Sequence, residues 1–223
     1  VDHQLHQFLG NEGGYGGSLL MSRSNRSAGF TMIELIVTLT IFSVLVALTV
    51  PTMRTWIADA KVRAVADSLQ NGIRLAQTEA LRRSRQVVFV LTNSTTPQSG
   101  GFTAAANGSY WAVQTIPAMT DGSEGPVVVG SGVLFSPGTP VTIKNGPTAI
   151  CFNSAGRLVT QSTTGITGAT CTTPTTLLNG APTFYYTINQ TLAARPLNVQ
   201  VGLGGQLHLC DPTQSLSTSP YGC

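Results

Sequence analysis

Between Phe30 and Val50 runs a stretch of 21 residues, FTMIELIVTLTIFSVLVALTV, whose only charge is Glu34. As a helix rising about 1.5 Å per residue it reaches roughly 31 Å, the thickness of a bilayer's hydrocarbon core. A chain with such a segment is expected to hold it in a membrane and to fold the rest on one side. Arg23 and Arg26 precede the run, whereas the ten residues after it carry only Arg54 and Asp59. The positive-inside bias therefore predicts a cytoplasmic N-terminus and an exported remainder. A cleaved secretory signal is the rival. Against it, the run exceeds the usual apolar region of such signals, no A-x-A-like site follows, and Pro51 leads directly into an amphipathic pattern.

Glu34 is the anomaly in that run. A carboxylate in an apolar span costs something like 3 kcal/mol at the bilayer centre and less near its end, so it calls for a partner. Cutting the chain between Gly29 and Phe30 would create an α-amino group one helical turn from Glu34, within one chain or between neighbouring subunits. The segment Gly29-Phe30-Thr31-Met32-Ile33-Glu34-Leu35 resembles the class III prepilin signal, Gly-Phe-Thr-Leu-Ile-Glu-Leu, and Pro51 stands where type IV pilins have one. The resemblance implies cleavage after Gly29 by prepilin peptidase, N-methylation of Phe30 and an assembly role for Glu34. Leaders of this kind are short and basic, and Met21-Ser-Arg-Ser-Asn-Arg-Ser-Ala-Gly29 forms one by itself. Residues 1–20, with His3 and His6, are accordingly expected to precede the true start. Glu12-Gly13-Gly14 and Gly16-Gly17 read as a translated ribosome-binding sequence.

From Thr52 onward apolar residues recur as Met53, Trp56, Ala60, Val62, Val65, Leu69, Ile73, Ala76 and Ala80, a three-and-four spacing that predicts one buried helix face ending near Arg83. Asp59/Arg63, Arg63/Asp67 and Glu79/Arg83 are spaced as i,i+4 pairs on the other side, each contributing a few tenths of a kcal/mol. Arg82, Arg83 and Arg85 are candidates to cradle phosphate, but cations in a last turn more simply offset the helix dipole.

After Gln86 the pattern changes to short β-branched runs: 87–91, 111–116, 127–129, 133–135, 141–143, 149–152, 184–188, 197–201 and 206–209, separated by Gly, Pro, Asn and Thr clusters. The expected fold class is α+β. A long N-terminal helix, membrane-spanning in its first half and amphipathic in its second, packs on an antiparallel β-sheet head, and the loops near 93–109 and 160–182 form variable surface. The expected divisions are a leader over 1–29, an assembly helix over 30–50, an amphipathic helix over 51–85 and the head over 86–223.

Within the pilin class the head resembles the GspH/FimT family. Leu75-Ala76-Gln77-Thr78-Glu79-Ala80-Leu81-Arg82-Arg83 is similar to that family's helix end, and Val87-Val88-Phe89 follows as its first strand. Tyr110-Trp111-Ala112-Val113 resembles its Gly-Trp-x-Val strand, Phe152 to Arg157 its Phe-x-x-x-Gly-Arg turn, and Gly204 to Asp211 its closing strand. The resemblance implies a minor pilin in a pilus tip or priming complex, linked to twitching motility or DNA uptake. Its partners would be other major and minor pilins, prepilin peptidase and an inner-membrane assembly platform, with the head periplasmic. A minor pseudopilin of type II secretion is the alternative within the superfamily; a membrane-anchored adhesin or enzyme is the alternative outside it.

Little else carries chemistry. Cys151, Cys171, Cys210 and Cys223 all lie on the exported side, where an even number reads as two disulfides with three possible connectivities. Cys151–Cys171 with Cys210–Cys223 is favoured because each loop closes locally; Cys151–Cys210 with Cys171–Cys223 is the rival. With the leader removed only His208 remains, so no metal site, cofactor or catalytic team is expected. Asp121-Gly-Ser-Glu124 lacks the spacing of a calcium loop and reads as a turn, and Gly202-Leu-Gly204-Gly205 opens no helix that would bind a nucleotide. Some members of the resembled family are implied to bind DNA through Gly-Arg-x-Arg in the closing strand. Here the corresponding residues are Gly205-Gln206-Leu207-His208, so Gln206 and His208 are candidates for weak DNA contact only. Residues 86–223 hold just Lys144, Arg157 and Arg195 as fixed cations, too few for strong phosphate binding.

Overall fold

The computed structural model describes residues 29–118, 123–178 and 180–223, so residues 1–28, with the expected start at Met21, and Asp121 lie outside the described residues. Two units emerge, one ending at Leu45 and one running Val46–Cys223. Helix α1, Met32–Arg83, enters both.

In the first unit the apolar side chains of α1 all face outward, among them Ile33, Leu35, Ile36, Leu39, Ile41 and Phe42. Its hydroxyls do not stay unsatisfied. Thr38 donates to the Leu35 carbonyl, Thr40 to Val37 and Ser43 to Thr40, at 2.8–2.9 Å. Such back-bonding lets Thr and Ser sit in an apolar span without leaving an unpaired donor.

In the second unit α1 buries Ala58, Val62, Val65, Ala66, Leu69, Ile73, Ala76 and Ala80. It stops because Ser84 adopts a left-handed conformation, φ 52, after which Arg85 N–H reaches back to the Ala80 carbonyl and Ser84 N–H to Leu81. That is a Schellman C-terminus with serine where glycine is usual.

Strands β1 (Val87–Thr92), β2 (Tyr110–Thr115), β3 (Val128–Val133), β4 (Val141–Lys144), β5 (Ala149–Phe152), β6 (Leu158–Val159), β7 (Leu177–Leu178), β8 (Ala181–Gln190), β9 (Leu197–Gly202) and β10 (Leu207–Cys210) follow. They form two antiparallel sheets, β3-β2-β1-β5-β6 and β10-β9-β8-β4, with β7 added on β8. The helix stripe, Val87, Phe89 and Leu91 of β1, Trp111 and Val113 of β2, and Tyr186, Ile188, Val199 and Val201 of the second sheet share one core.

Four expectations are corrected here. Met53, Trp56 and Ala60 do not join the buried stripe but are exposed. At about 100° per residue they lie on the far side of the helix from Ala58, Val62 and Val65, because the step from Ala60 to Val62 is only two residues and crosses from one stripe to the other. The loops after β1 and β6 are not merely surface: Phe102, Ile166, Ala169 and Cys171 cover Val88, Val90, Ala112 and Ala149 on the outer face of the first sheet. β1 is buried on both faces, which an unbroken Val-Val-Phe-Val-Leu run requires. Residues 127–129 and 133–135 are not two strands, because β3 runs through Gly130 and Gly132. A Cβ at Gly132 would stand 2.6 Å from the Trp111 ring and one at Gly130 would stand 2.8 Å from Leu75, so these glycines make room for neighbours within a strand. Finally, the short strands β6 and β7 fall outside the sequence runs that predict strands.

Trp111 also explains a glycine inside the helix. A Cβ at Gly72 would meet Phe89 and Trp111 at 2.8 Å. The indole N–H donates to Ser68 Oγ at 3.2 Å, and Ser68 passes its own proton to the Val133 carbonyl at 2.9 Å. Helix, β2 and β3 are thus joined through one aromatic ring. Disulfides link Cys151 to Cys171 and Cys210 to Cys223, 20 and 13 residues apart. The first ties the outer loop to β5, and the second ties the C-terminal tail to β10.

Candidate functional site

The candidate assembly residues lie where α1 begins. Gly29 and Phe30 precede the helix, and the Phe30 side chain is 77% exposed, so the Gly29–Phe30 bond stands clear of regular structure. Thr31 caps the helix: its Oγ1 accepts from the Glu34 N–H at 3.2 Å and its carbonyl from the Leu35 N–H at 3.1 Å. Thr31-Met-Ile-Glu34 has the spacing of a capping box, a signal present in the sequence that the motif resemblance overshadowed. Glu34 is the acidic residue of the first turn, where a carboxylate offsets the positive end of the helix dipole. An α-ammonium on Phe30 would add positive charge to that same end. Glu34 is therefore placed to compensate the dipole.

At the other end of α1 the arginines are already partnered. Glu79 accepts from Arg82 Nε at 2.9 Å and Nη2 at 2.7 Å, and from Arg83 Nε at 2.7 Å. Hydrogen bonds from Arg82 and then Arg83 hold the Glu79 carboxyl down at about 2 against the opposing effect of burial. Arg85 pairs with Glu124, whose other oxygen accepts from the Ala118 N–H at 3.2 Å. These cations are engaged internally rather than forming a phosphate cradle. Asp59 accepts from the backbone N–H groups of Ala194 and Arg195, at 2.9 and 3.2 Å, and so holds the β8–β9 loop against the helix. Nothing in the sequence spacing, which pointed to Arg63, announced this.

Gln206 is exposed just before β10, an edge strand, and His208 is exposed within it, opposite Gln200 of β9. The Gln206 amide folds over its own turn, within 2.8 Å of where Cβ atoms would sit on Gly202 and Gly204. Nearby, Gln77 Nε2 donates to the Gly156 carbonyl at 3.0 Å, and Leu158 N–H donates to Leu203 at 3.0 Å. This brings exposed Arg157 to the β9–β10 turn. Lys144 sits on β4 at the opposite edge of the sheet and Arg195 in the β8–β9 loop, so the three head cations are dispersed. Among the described residues no three His, Cys, Asp or Glu side chains gather as metal ligands.

Residues 24–50 match the prokaryotic N-terminal methylation motif. Residues 65–205, well over half of the chain, match the family described as type II transport protein GspH. The chain belongs to the GspH family. Two crystal structures of the type IV minor pilin FimU of Pseudomonas aeruginosa (strain PAO1) are similar at 13% identity. One covers 70% of this chain and 92% of that chain with a TM-score of 0.43, and the other 68% and 94% with a TM-score of 0.40. No curated protein matches. A GspH protein is a pilin-like structural component, not an enzyme, and α1 supplies a segment long and apolar enough to cross a membrane. The GspH match takes in Trp111, Gly132, Gly156 and Gly205. At Gly132 and Gly205 neighbours stand too close for a side chain, Gly156 turns at φ +72, and the Trp111 ring fills the space beside Gly132.

Proposed function

We propose that this GspH protein is a minor type IV pilin, held in the inner membrane by α1 with its N-terminus cytoplasmic and its head periplasmic, and then drawn into a pilus tip or priming complex. Prepilin peptidase cuts after Gly29, Phe30 is N-methylated, and Glu34 meets a Phe30 ammonium as stems pack in the assembly platform. The observation that carries this is the methylation motif over residues 24–50 falling on an exposed, capped helix start whose first turn holds Glu34. The dispersal of Lys144, Arg157 and Arg195 argues that DNA contact through Gln206 and His208 is weak.

The family description favours a second reading, a minor pseudopilin of type II secretion. Affinity capture of the full chain from membranes, with partners identified by mass spectrometry, separates the two. Pilus subunits among the partners support the first; secretion-channel and pseudopilus subunits without pilins reject it for the second.

A further inference from the structure

We propose that Trp56 anchors the unassembled chain at the headgroup layer on the exported side and thereby sets the depth of α1, leaving Glu34 at the opposite surface and outside the hydrocarbon. This rests on the membrane-held state argued above. Trp56 is 71% exposed, beside exposed Met53 and Ile57, on the side of α1 away from the stripe that the head covers. Its indole N–H has no hydrogen-bond partner among the described residues, unlike that of Trp111. A ring with an apolar body and one donor fits the bilayer boundary, where acyl chains take the ring and ester or phosphate oxygens take the N–H. A seam between apolar stems would leave that donor unpaired. The flanking charges agree: Arg54, Lys61 and Arg63 outnumber Asp59, whose carboxylate is occupied by backbone amides, so this stretch favours anionic headgroups.

Counting along the helix gives the consequence. If the apolar run Phe30–Val50 itself filled the hydrocarbon, Glu34 would lie about 6 Å inside and Trp56 about 9 Å beyond the far boundary. With Trp56 at that boundary, a core about 30 Å thick takes roughly 20 residues and ends at Ile36. Glu34 then lies about 3 Å outside it. Arg54, about 3 Å below the boundary, lifts its guanidinium to the headgroups on a long stem, a reach that Glu34 lacks. Glu34 is buried only when the stem leaves the bilayer for the filament.

The full chain in vesicles of phosphatidylethanolamine and phosphatidylglycerol tests this. The Trp56 emission, obtained by difference against Trp56→Phe, should be quenched most by lipids brominated near the ester and least by lipids brominated near the chain end. Met32→Cys adds the only free thiol, since the four native cysteines are paired. That thiol should react readily with N-ethylmaleimide, and adding Trp56→Leu should slow the reaction several-fold while Trp111 emission stays native. A chain that floats with vesicles while Trp56 emits as in water, or a thiol reaction rate unmoved by Trp56→Leu, overturns the anchor alone. A chain that fails to float overturns the membrane-held state with it.

Discussion

Gly205→Ala exposes how the head is locked to the helix. Gly205 has φ +85, and a Cβ there would stand 2.2 Å from Gln77 Nε2 and 2.5 Å from the Gly156 carbonyl oxygen. Gln77 swings aside at the loss of its 3.0 Å bond to Gly156, about 1 kcal/mol. The Gly156 oxygen is backbone, itself in a turn at φ +72, and yields only if the β5–β6 turn shifts, which adds about 1–3 kcal/mol of overpacking. Left-handed alanine contributes about another 1 kcal/mol. The sum is roughly 3–5 kcal/mol. With a urea slope of about 2 kcal/mol per molar, the unfolding midpoint falls by about 2 M, read from the buried Trp111 in detergent-solubilised chain. Gln77→Ala in the same background should recover almost nothing, because its hydrogen bond to Gly156 is already lost and the clash with the Gly156 oxygen remains. A midpoint within about 0.3 M of wild type would refute the packing argument.

Three further outcomes follow from the same contacts. Breaking Cys151–Cys171 by a double change to Ala should cost about 3 kcal/mol and raise proteolysis at the outer loop, since the bridge ties that loop over β1; unchanged protection there counts against the second core. The Glu79 carboxyl is lowered from 4.5 to about 2, so its stabilisation is complete above pH 4.5 and is lost as pH falls toward 2. Glu79→Gln should flatten stability against pH in that window, by about 1 kcal/mol or less because the arginines are solvent-screened, and an unaltered acid limb contradicts the pairing. A fluorescence titration of the head, residues 58–223, with duplex DNA at about 150 mM salt should show weak binding or none; micromolar affinity lost on changing Gln206 and His208 would reverse that conclusion.

The apolar run, the helix end near Arg83 and most strands could be read from sequence because each rests on a local period or on its change after Gln86. What escaped depends on partners remote in sequence. Gly130 and Gly132 look like turn residues until Leu75 and Trp111 are seen to occupy the space beside them. Trp56 and Val62 lie on different sides of α1, because the step from Ala60 to Val62 is two residues, about 200° around a helix with 3.6 residues per turn, and breaks the three-and-four spacing. Asp59 is spaced to meet Arg63 but instead holds amides 135 and 136 residues away. The cover over β1 had one local sign, the absence of polar alternation in its run. At the helix start the motif resemblance marks Gly29, Phe30 and Glu34 as candidates, and the Thr31-Met-Ile-Glu34 spacing carries the capping box whose Thr31–Glu34 hydrogen bond the structure shows.

The most direct test of assembly through the helix start compares sheared filaments and membranes from cells making wild type, Glu34→Leu and Gly29→Ala. Wild type should appear in filaments with a methylated Phe30 at its N-terminus. Glu34→Leu should be processed and present in membranes at wild-type amounts but lost from filaments, because only the charge that meets the Phe30 ammonium has been removed. Gly29→Ala should remain as a precursor heavier by about 1 kDa if translation starts at Met21. Incorporation of Glu34→Leu into filaments at the wild-type level would contradict the central claim.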